Sequence, residues 1–200
     1  MVPPALKQPA PKRMTVEEFL AWDPGDDLRY ELVDGWPVAQ SAPSTAHGRI
    51  AANLAIAIGN RLRAGKRPCV PENGGGLRID PRWSVRIPDL LVRCGKSREQ
   101  ATTPVLAIEI LSPSNSASEM ARKREDYRSV GITEVVEVEQ DEAVIRVHRL
   151  QGEDWVIQSV AGLDATVSLR SLDLDIPLAE VYDAVTFAGT SEAPAAAAQS

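Results

Sequence analysis

Pro88-Asp89-Leu90-Leu91-Val92 and Val105-Leu106-Ala107-Ile108-Glu109-Ile110-Leu111 are two apolar runs separated by a polar loop. Each has the length and apolar content of a buried β-strand. Asp89 opens the first run, and Glu109 lies in the middle of the second. Because an ionised carboxylate is costly to bury without compensation, Glu109 requires a cation or hydrogen-bond donors beside it.

A charged helix is predicted after the second run. Ser116-Ala117-Ser118-Glu119 is a capping box, and Gly131 is a suitable C-terminal stop. The three- and four-residue spacing places on one face Met120, Lys123, Tyr127 and Val130. Lys123 is therefore predicted to face the protein, whereas Arg122 and Arg124 are predicted to be ordinary surface residues.

The length and composition predict one globular domain. Of the 200 residues, 44% are hydrophobic and 25% charged, as in ordinary soluble proteins. We expect a flexible, proline-rich tail over residues 1–13, a single domain over residues 14–185 and a disordered tail over residues 186–200. No run is long enough to span a membrane, so no membrane partner is expected.

The two cysteines, Cys69 and Cys94, have no second cysteine two or three residues away. This isolation favours reduced thiols in a cytoplasmic protein over a disulfide. The net charge of −6 argues against a broad nucleic-acid-binding surface, although a local basic groove beside an acidic site is compatible with it.

The N-terminal half alternates short elements with one long helix. Thr15-Val16-Glu17-Glu18 caps a short helix, and Asp34-Gly35 is a hairpin turn whose second strand contains Pro37, which indicates a sheet edge or a bulge. The long helix is predicted over residues 44–65, with His47 on its apolar face. Two strands around residues 77–79 and 85–87 follow.

The C-terminal part is predicted to be mostly β-structure. Strands are expected over residues 135–138 and 143–148, with His148 on the strand surface. Residues 155–157 and 165–167 are predicted to form a further strand pair, and residues 178–185 a short closing helix.

The chemistry of the two acids points to a hard cation. Mg²⁺ takes oxygen ligands and binds through one or two carboxylates together with water and phosphate. Asp89 and Glu109, on successive strands, match that requirement. A lysine two residues after Glu109 would lie on the same strand face, but that position is Leu111, so Lys123 is the available substitute.

These motifs, in this order, resemble the Uma-type family of restriction endonucleases within the PD-(D/E)XK nuclease superfamily. The resemblance covers roughly residues 14–185. The matching segments are Arg29-Tyr30-Glu31-Leu32-Val33-Asp34-Gly35, His47, Pro88-Asp89-Leu90, Ile108-Glu109-Ile110-Leu111-Ser112-Pro113-Ser114, Lys123, Tyr127 and Gly131-Ile132.

The resemblance implies an α/β (α+β) fold of the restriction-endonuclease type, a mixed central sheet flanked by helices, here with an added C-terminal β-hairpin region. It implies a divalent metal, Mg²⁺ or Mn²⁺, held by Asp89 and Glu109, with the superfamily's lysine displaced to Lys123. The metal and Lys123 would together position and activate a water. Glu31 would be an additional acid and His47 a neighbour of the site. The implied reaction is phosphodiester hydrolysis in DNA, and a homodimer is expected because cutting two strands often uses two sites.

The chain departs from the family pattern after Gly131. The usual aromatic pair and Asp-Pro turn are replaced by Thr133-Glu134-Val135-Val136-Glu137-Val138-Glu139, which adds acid near where a substrate would pass. Two other functions stay open at this point. One is a catalytically silent binding or assembly module with a nuclease fold, and the other is a metal-dependent hydrolase of another phosphorylated substrate.

For several residues the sequence also supports a purely structural role. Asp89 could be a strand-cap acid, Lys123 a snorkelling surface lysine and Glu31 the solvent face of a hairpin strand. His47 is better explained by packing on its helix than by direct chemistry.

Overall fold

A computed structural model of the chain describes residues 12–187. The predicted tails, residues 1–13 and 186–200, lie outside that range except for two residues at each end. The helices are α1 (Val16–Leu20), α2 (Thr45–Ala64), α3 (Ala117–Ser129) and α4 (Leu178–Val181). The strands are β1 (Tyr30–Val33), β2 (Trp36–Ala39), β3 (Cys69–Asn73), β4 (Leu77–Asp80), β5 (Ser84–Arg86), β6 (Leu90–Gly95), β7 (Ala101–Leu111), β8 (Glu134–Glu139), β9 (Val144–Gln151), β10 (Asp154–Ala161), β11 (Thr166–Leu169) and β12 (Leu174–Pro177).

The chain divides into two compact units. The first contains the residues up to Ala42 together with Gly76–Ile87, and the second contains Pro43–Gly75 and the residues from Pro88 onward. The single nuclease-like domain predicted over residues 14–185 stays a prediction.

The first unit is a four-stranded sheet with α1. Its strand order is β2-β1-β5-β4, so the proline-containing strand β2 lies at an edge, as predicted. Asp34 and Gly35 both have positive φ, 50° and 84°, which is the conformation that a tight two-residue hairpin requires. The capping box predicted at Thr15 is present.

The second unit contains a six-stranded mixed sheet in the order β10-β9-β8-β7-β6-β3. β7 and β8 run parallel, and the other neighbouring pairs are antiparallel. α2 follows the N-cap Ser44, precedes the C-cap Gly65, and packs its apolar stripe against this sheet. That stripe is fully buried and consists of Ile50, Leu54, Ile58 and Leu62.

Alternation along β7 separates the core from the charged face. Ile108 and Ile110 belong to the core that α2 covers. Glu109 therefore points to the opposite face, where α3 supplies its partners. The predicted mixed central sheet flanked by helices is confirmed, and β11 and β12 pair as the added C-terminal hairpin.

The prediction of reduced thiols is wrong, because Cys69 and Cys94 form a disulfide. They are 25 residues apart, so no local spacing signals the bond. The antiparallel register of β3 and β6 nevertheless sets the two residues directly opposite, with their Cα atoms 4.0 Å apart. The cytoplasmic location, which rested on free thiols, stays a prediction.

Two further expectations for the C-terminal part are wrong. Residues 155–157 lie in β10, which pairs with β9, whereas residues 166–167 lie in β11, which pairs with β12. The closing helix α4 ends at Val181, short of the predicted residue 185, and Ala184 has a positive φ of 56°.

Among residues 12–187, no helix combines the length and apolar character needed to cross a membrane.

Candidate functional site

Asp89 lies immediately before β6 and is anchored by both of its carboxylate oxygens. Oδ2 accepts a hydrogen bond of 2.8 Å from the main-chain amide of Ile110, the residue that follows Glu109. Oδ1 lies 3.1 Å from Nε2 of His47 in the first turn of α2. The side chains of Asp89 and His47 are 21% and 17% exposed, so this end of the site is accessible to solvent. The structure thus brings His47 and Asp89 together beside the Glu109 segment.

Glu109 is buried and is held by two side chains of α3. Nζ of Lys123 donates to Oε2 at 3.1 Å, and the hydroxyl of Tyr127 donates to Oε1. The side chains of Glu109 and Lys123 are only 7% and 5% exposed. The helical spacing correctly predicts that Lys123 faces inward. This lysine and tyrosine supply the compensation that a buried carboxylate requires.

Replacing Tyr127 by Phe is expected to lower the free energy of unfolding by about 1–3 kcal/mol, because a buried carboxylate oxygen loses a donor while the ring is kept. Chemical denaturation of the wild type and Tyr127→Phe measures the difference. Tyr30→Phe is the control, since the Tyr30 hydroxyl bonds Asp26 in an exposed setting. Equal losses in the two variants would contradict the special role of Tyr127.

Glu31 lies in the first unit, whereas the other predicted site residues lie in the second. It is 3% exposed, so the alternative of a solvent-facing hairpin residue is wrong. Its carboxylate accepts hydrogen bonds of 2.8 Å from Arg86 and 2.9 Å from the amide of Ile87. A role for Glu31 at the site stays a prediction.

A second buried acid, Glu137, lies beside Glu109. The two residues are register partners on the parallel strands β7 and β8. Arg124 of α3 donates to Glu137, and Nε2 of His148 lies 3.0 Å from its other oxygen. The surface positions predicted for Arg124 and His148 are therefore wrong. Both side chains contact the buried carboxylate of Glu137. Helical and strand periodicity could not reveal this, because each partner lies on a different element.

The pKa of Glu137 makes its contribution to stability dependent on pH. Burial by itself raises this pKa, but the hydrogen bond from His148 and the nearby charges of His148 and Arg124 outweigh it, so the pKa lies below the ordinary 4.5. The stabilisation is therefore complete above the unfolded pKa and is lost as the pH falls through the lower folded value.

We expect Glu137→Gln to lower the free energy of unfolding at pH 7. This difference from wild type should shrink below about pH 4.3, the usual pKa of glutamate in an unfolded chain. Unfolding free energies measured across the acid range test this. The exposed Glu153→Gln is the control and should follow the wild-type profile. A difference that stays constant with pH would contradict the assignment.

The residues at Asp89 and Glu109 fit a hard divalent cation. Within residues 12–187, no group of three or more His, Cys, Asp or Glu side chains converges as a metal site. Mg²⁺ does not require one, because it binds proteins through one or two carboxylates and keeps several waters. An ionised carboxylate accepts more than one partner, and the partly exposed side chain of Asp89 gives a cation access to this end of the site.

Comparison with known proteins shows the family. Residues 16–179 match the family model Uma2, described as "Putative restriction endonuclease". The chain belongs to this family. The matched range includes all five predicted site residues, but the family model assigns no role to any of them. These residues are Glu31, His47, Asp89, Glu109 and Lys123.

Two individual proteins are also similar to this member of the Uma2 family. An uncharacterized protein of Synechocystis sp., slr1290, is 27% identical over 94% of this chain and 100% of its own length. A crystal structure described as "a putative nuclease belonging to DUF820" from Anabaena variabilis superposes with a TM-score of 0.70. That superposition covers 86% of this chain and 99% of the other, at 18% identity, and it shows a shared fold.

Proposed function

We propose that this Uma2-family protein is a metal-dependent endonuclease that hydrolyses phosphodiester bonds in DNA, with Mg²⁺ or Mn²⁺ as its cofactor. One observation carries the proposal. The main-chain amide of the residue after Glu109 donates to Asp89, and an ammonium group donates to Glu109, which supports a site built from these two acids of neighbouring strands. The family's description as a restriction endonuclease supports nuclease chemistry.

In this proposal Asp89 and Glu109 hold the cation. When bound, Mg²⁺ would supply positive charge that stabilises the attacked phosphate, and it would also supply bound water. His47 fixes the orientation of Asp89, and Tyr127 fixes that of Glu109. Such outer partners set the geometry of a metal ligand. The exposure of Asp89 and His47 gives a phosphate access to this end of the site.

Lys123 is proposed as a positioning residue that acts through Glu109. Its side chain is only 5% exposed, and its ammonium donates to Oε2 of Glu109. In the proposal this contact offsets the charge of Glu109 and orients its carboxylate for the cation. This role agrees with a lysine that the sequence places on α3, since position 111 is a leucine.

A plasmid-nicking assay tests the proposed function. Wild type should convert supercoiled DNA to nicked and linear forms with Mg²⁺ or Mn²⁺, and EDTA should stop the reaction. Asp89→Asn keeps the side-chain shape but removes the charge, so cleavage should be nearly lost. Asp175→Asn, an exposed acid on β12, is the control and should cleave like wild type.

The possible outcomes separate the three functions. Undiminished cleavage by Asp89→Asn would reject this metal site. Metal binding by calorimetry without cleavage of DNA or RNA would favour a hydrolase of another phosphorylated substrate. Neither metal binding nor cleavage would favour a silent binding or assembly module.

A further inference from the structure

β10 forms one edge of the six-stranded sheet, and among the described residues nothing pairs with its outer side. It is eight residues long and pairs along its whole length with β9. Val156 and Ile157, near its middle, are 45% and 56% exposed. Because an unpaired edge presents a row of free main-chain donors and acceptors, such a strand is a template for another strand.

The other edges of the two larger sheets carry features that block strand addition, and β11 in the two-stranded sheet is only four residues long. β2 contains Pro37, and β3 contains Pro71 and the charged Glu72. β4 carries Arg78 and Asp80. Proline removes a main-chain donor, and charged residues resist pairing. Residues 155–161 of β10 contain neither proline nor a charged residue.

The sequence of β10 is compatible with pairing to its own copy. Two identical antiparallel strands can be related by a two-fold axis perpendicular to the sheet. Opposite residues then lie on the same face of the sheet, and same-face residues of one strand are an even number of positions apart. The two residue numbers of an opposite pair therefore sum to an even value. If the two-fold axis passes through the middle of the uncharged run 155–161, Gln158 lies opposite Gln158 of the partner subunit. Val156 then faces Val160 of the partner subunit, and Ile157 faces Ser159 of the partner subunit.

This register also avoids repulsion between like charges of the two copies. The nearest charged residue, Asp154, lies outside the paired run and falls opposite the partner subunit's Gly162, so no like charges meet across the axis. A charged residue at the centre of the strand would meet its own copy. The absence of charge from residues 155–161 therefore favours a second copy of this chain over a partner that is recognised by charge.

We propose that two copies of the chain associate through β10, antiparallel about Gln158, and join their sheets into one continuous sheet. Main-chain hydrogen bonds along the strand supply the pairing, and Val156 and Ile157 bury their exposed surface on the two faces. This interface is independent of the proposed nuclease activity.

Light scattering during gel filtration and cysteine cross-linking test the interface. Wild type should have about twice the 21.6 kDa mass of one chain. Ile157→Lys should be monomeric, whereas Leu163→Lys, a similarly exposed apolar position after the strand, should remain dimeric. Gln158→Cys should form a cross-linked dimer under mild oxidation, because opposite Cα atoms lie about 4.5–5.5 Å apart, within disulfide range.

Val156→Cys is the matched cross-linking control. In the proposed register its copies are four residues out of alignment, about 13 Å along the strands, and should not cross-link. A monomeric wild type at all concentrations would overturn the proposal. So would a dimer that survives Ile157→Lys, or equal cross-linking at positions 156 and 158.

Discussion

Glu109→Gln is expected to reduce metal-dependent DNA cleavage by more than about 100-fold, because changing even the partners of a metal ligand typically lowers activity by about 10- to 100-fold. The substitution removes the negative charge that would hold the cation and keeps nearly the same side-chain volume. Initial rates of plasmid nicking at saturating Mn²⁺ measure the loss. Calorimetry on the same samples should show weakened cation binding.

Glu137→Gln is an unusually close control for this experiment. Glu137 is the register partner of Glu109 on the adjacent parallel strand, is equally buried, and is likewise bound by a cation from α3. Both variants therefore lose a buried ionic contact to the same helix. Only Glu109→Gln should lose cleavage and cation binding, and equal losses in both variants would show that the effect arises from displacement of α3.

Lys123→Met is expected to lower the free energy of unfolding by about 3–5 kcal/mol, because it leaves the buried carboxylate of Glu109 without its cation. Methionine keeps most of the apolar stem, so the loss reports mainly the charge. Chemical denaturation at pH 7 measures it. Lys96→Met, at an exposed position, should stay within about 0.5 kcal/mol of wild type.

The double variant Glu109→Gln/Lys123→Met separates stability from function. Removing both members of a buried ion pair is often close to neutral, so most of the stability lost in Lys123→Met should return. Cleavage should not return, because the proposed metal ligand is still absent. A double variant that is no more stable than Lys123→Met would show that the two side chains do not compensate one another.

The sequence predicts well those features that depend on local periodicity. The strand with a central acid, the helix that turns Lys123 inward and the cap at Ser116 each depend on spacing within one element, and all are present. Family resemblance adds the mixed sheet, whose strand order no local pattern encodes. The roles of Asp89, Glu109, Lys123, Glu31 and His47 stay predictions.

The errors arise where partners come from different elements. Arg124 and His148 look like surface residues within their own helix and strand, but both meet Glu137 across element boundaries. Cys69 and Cys94 meet only because β3 and β6 pair in one particular register. Such contacts depend on sheet order and register, which single-element periodicity does not contain.

The Cys69–Cys94 bond also has a topological consequence. It closes a covalent ring that includes Asp89, β4, β5 and the exposed turn residue Arg82. Closing a loop of this size restricts the unfolded chain by an amount worth about 3–4 kcal/mol. A single tryptic cut after Arg82 would therefore open the ring without releasing a fragment. The two pieces would migrate as one chain on a gel until a thiol reductant separates them.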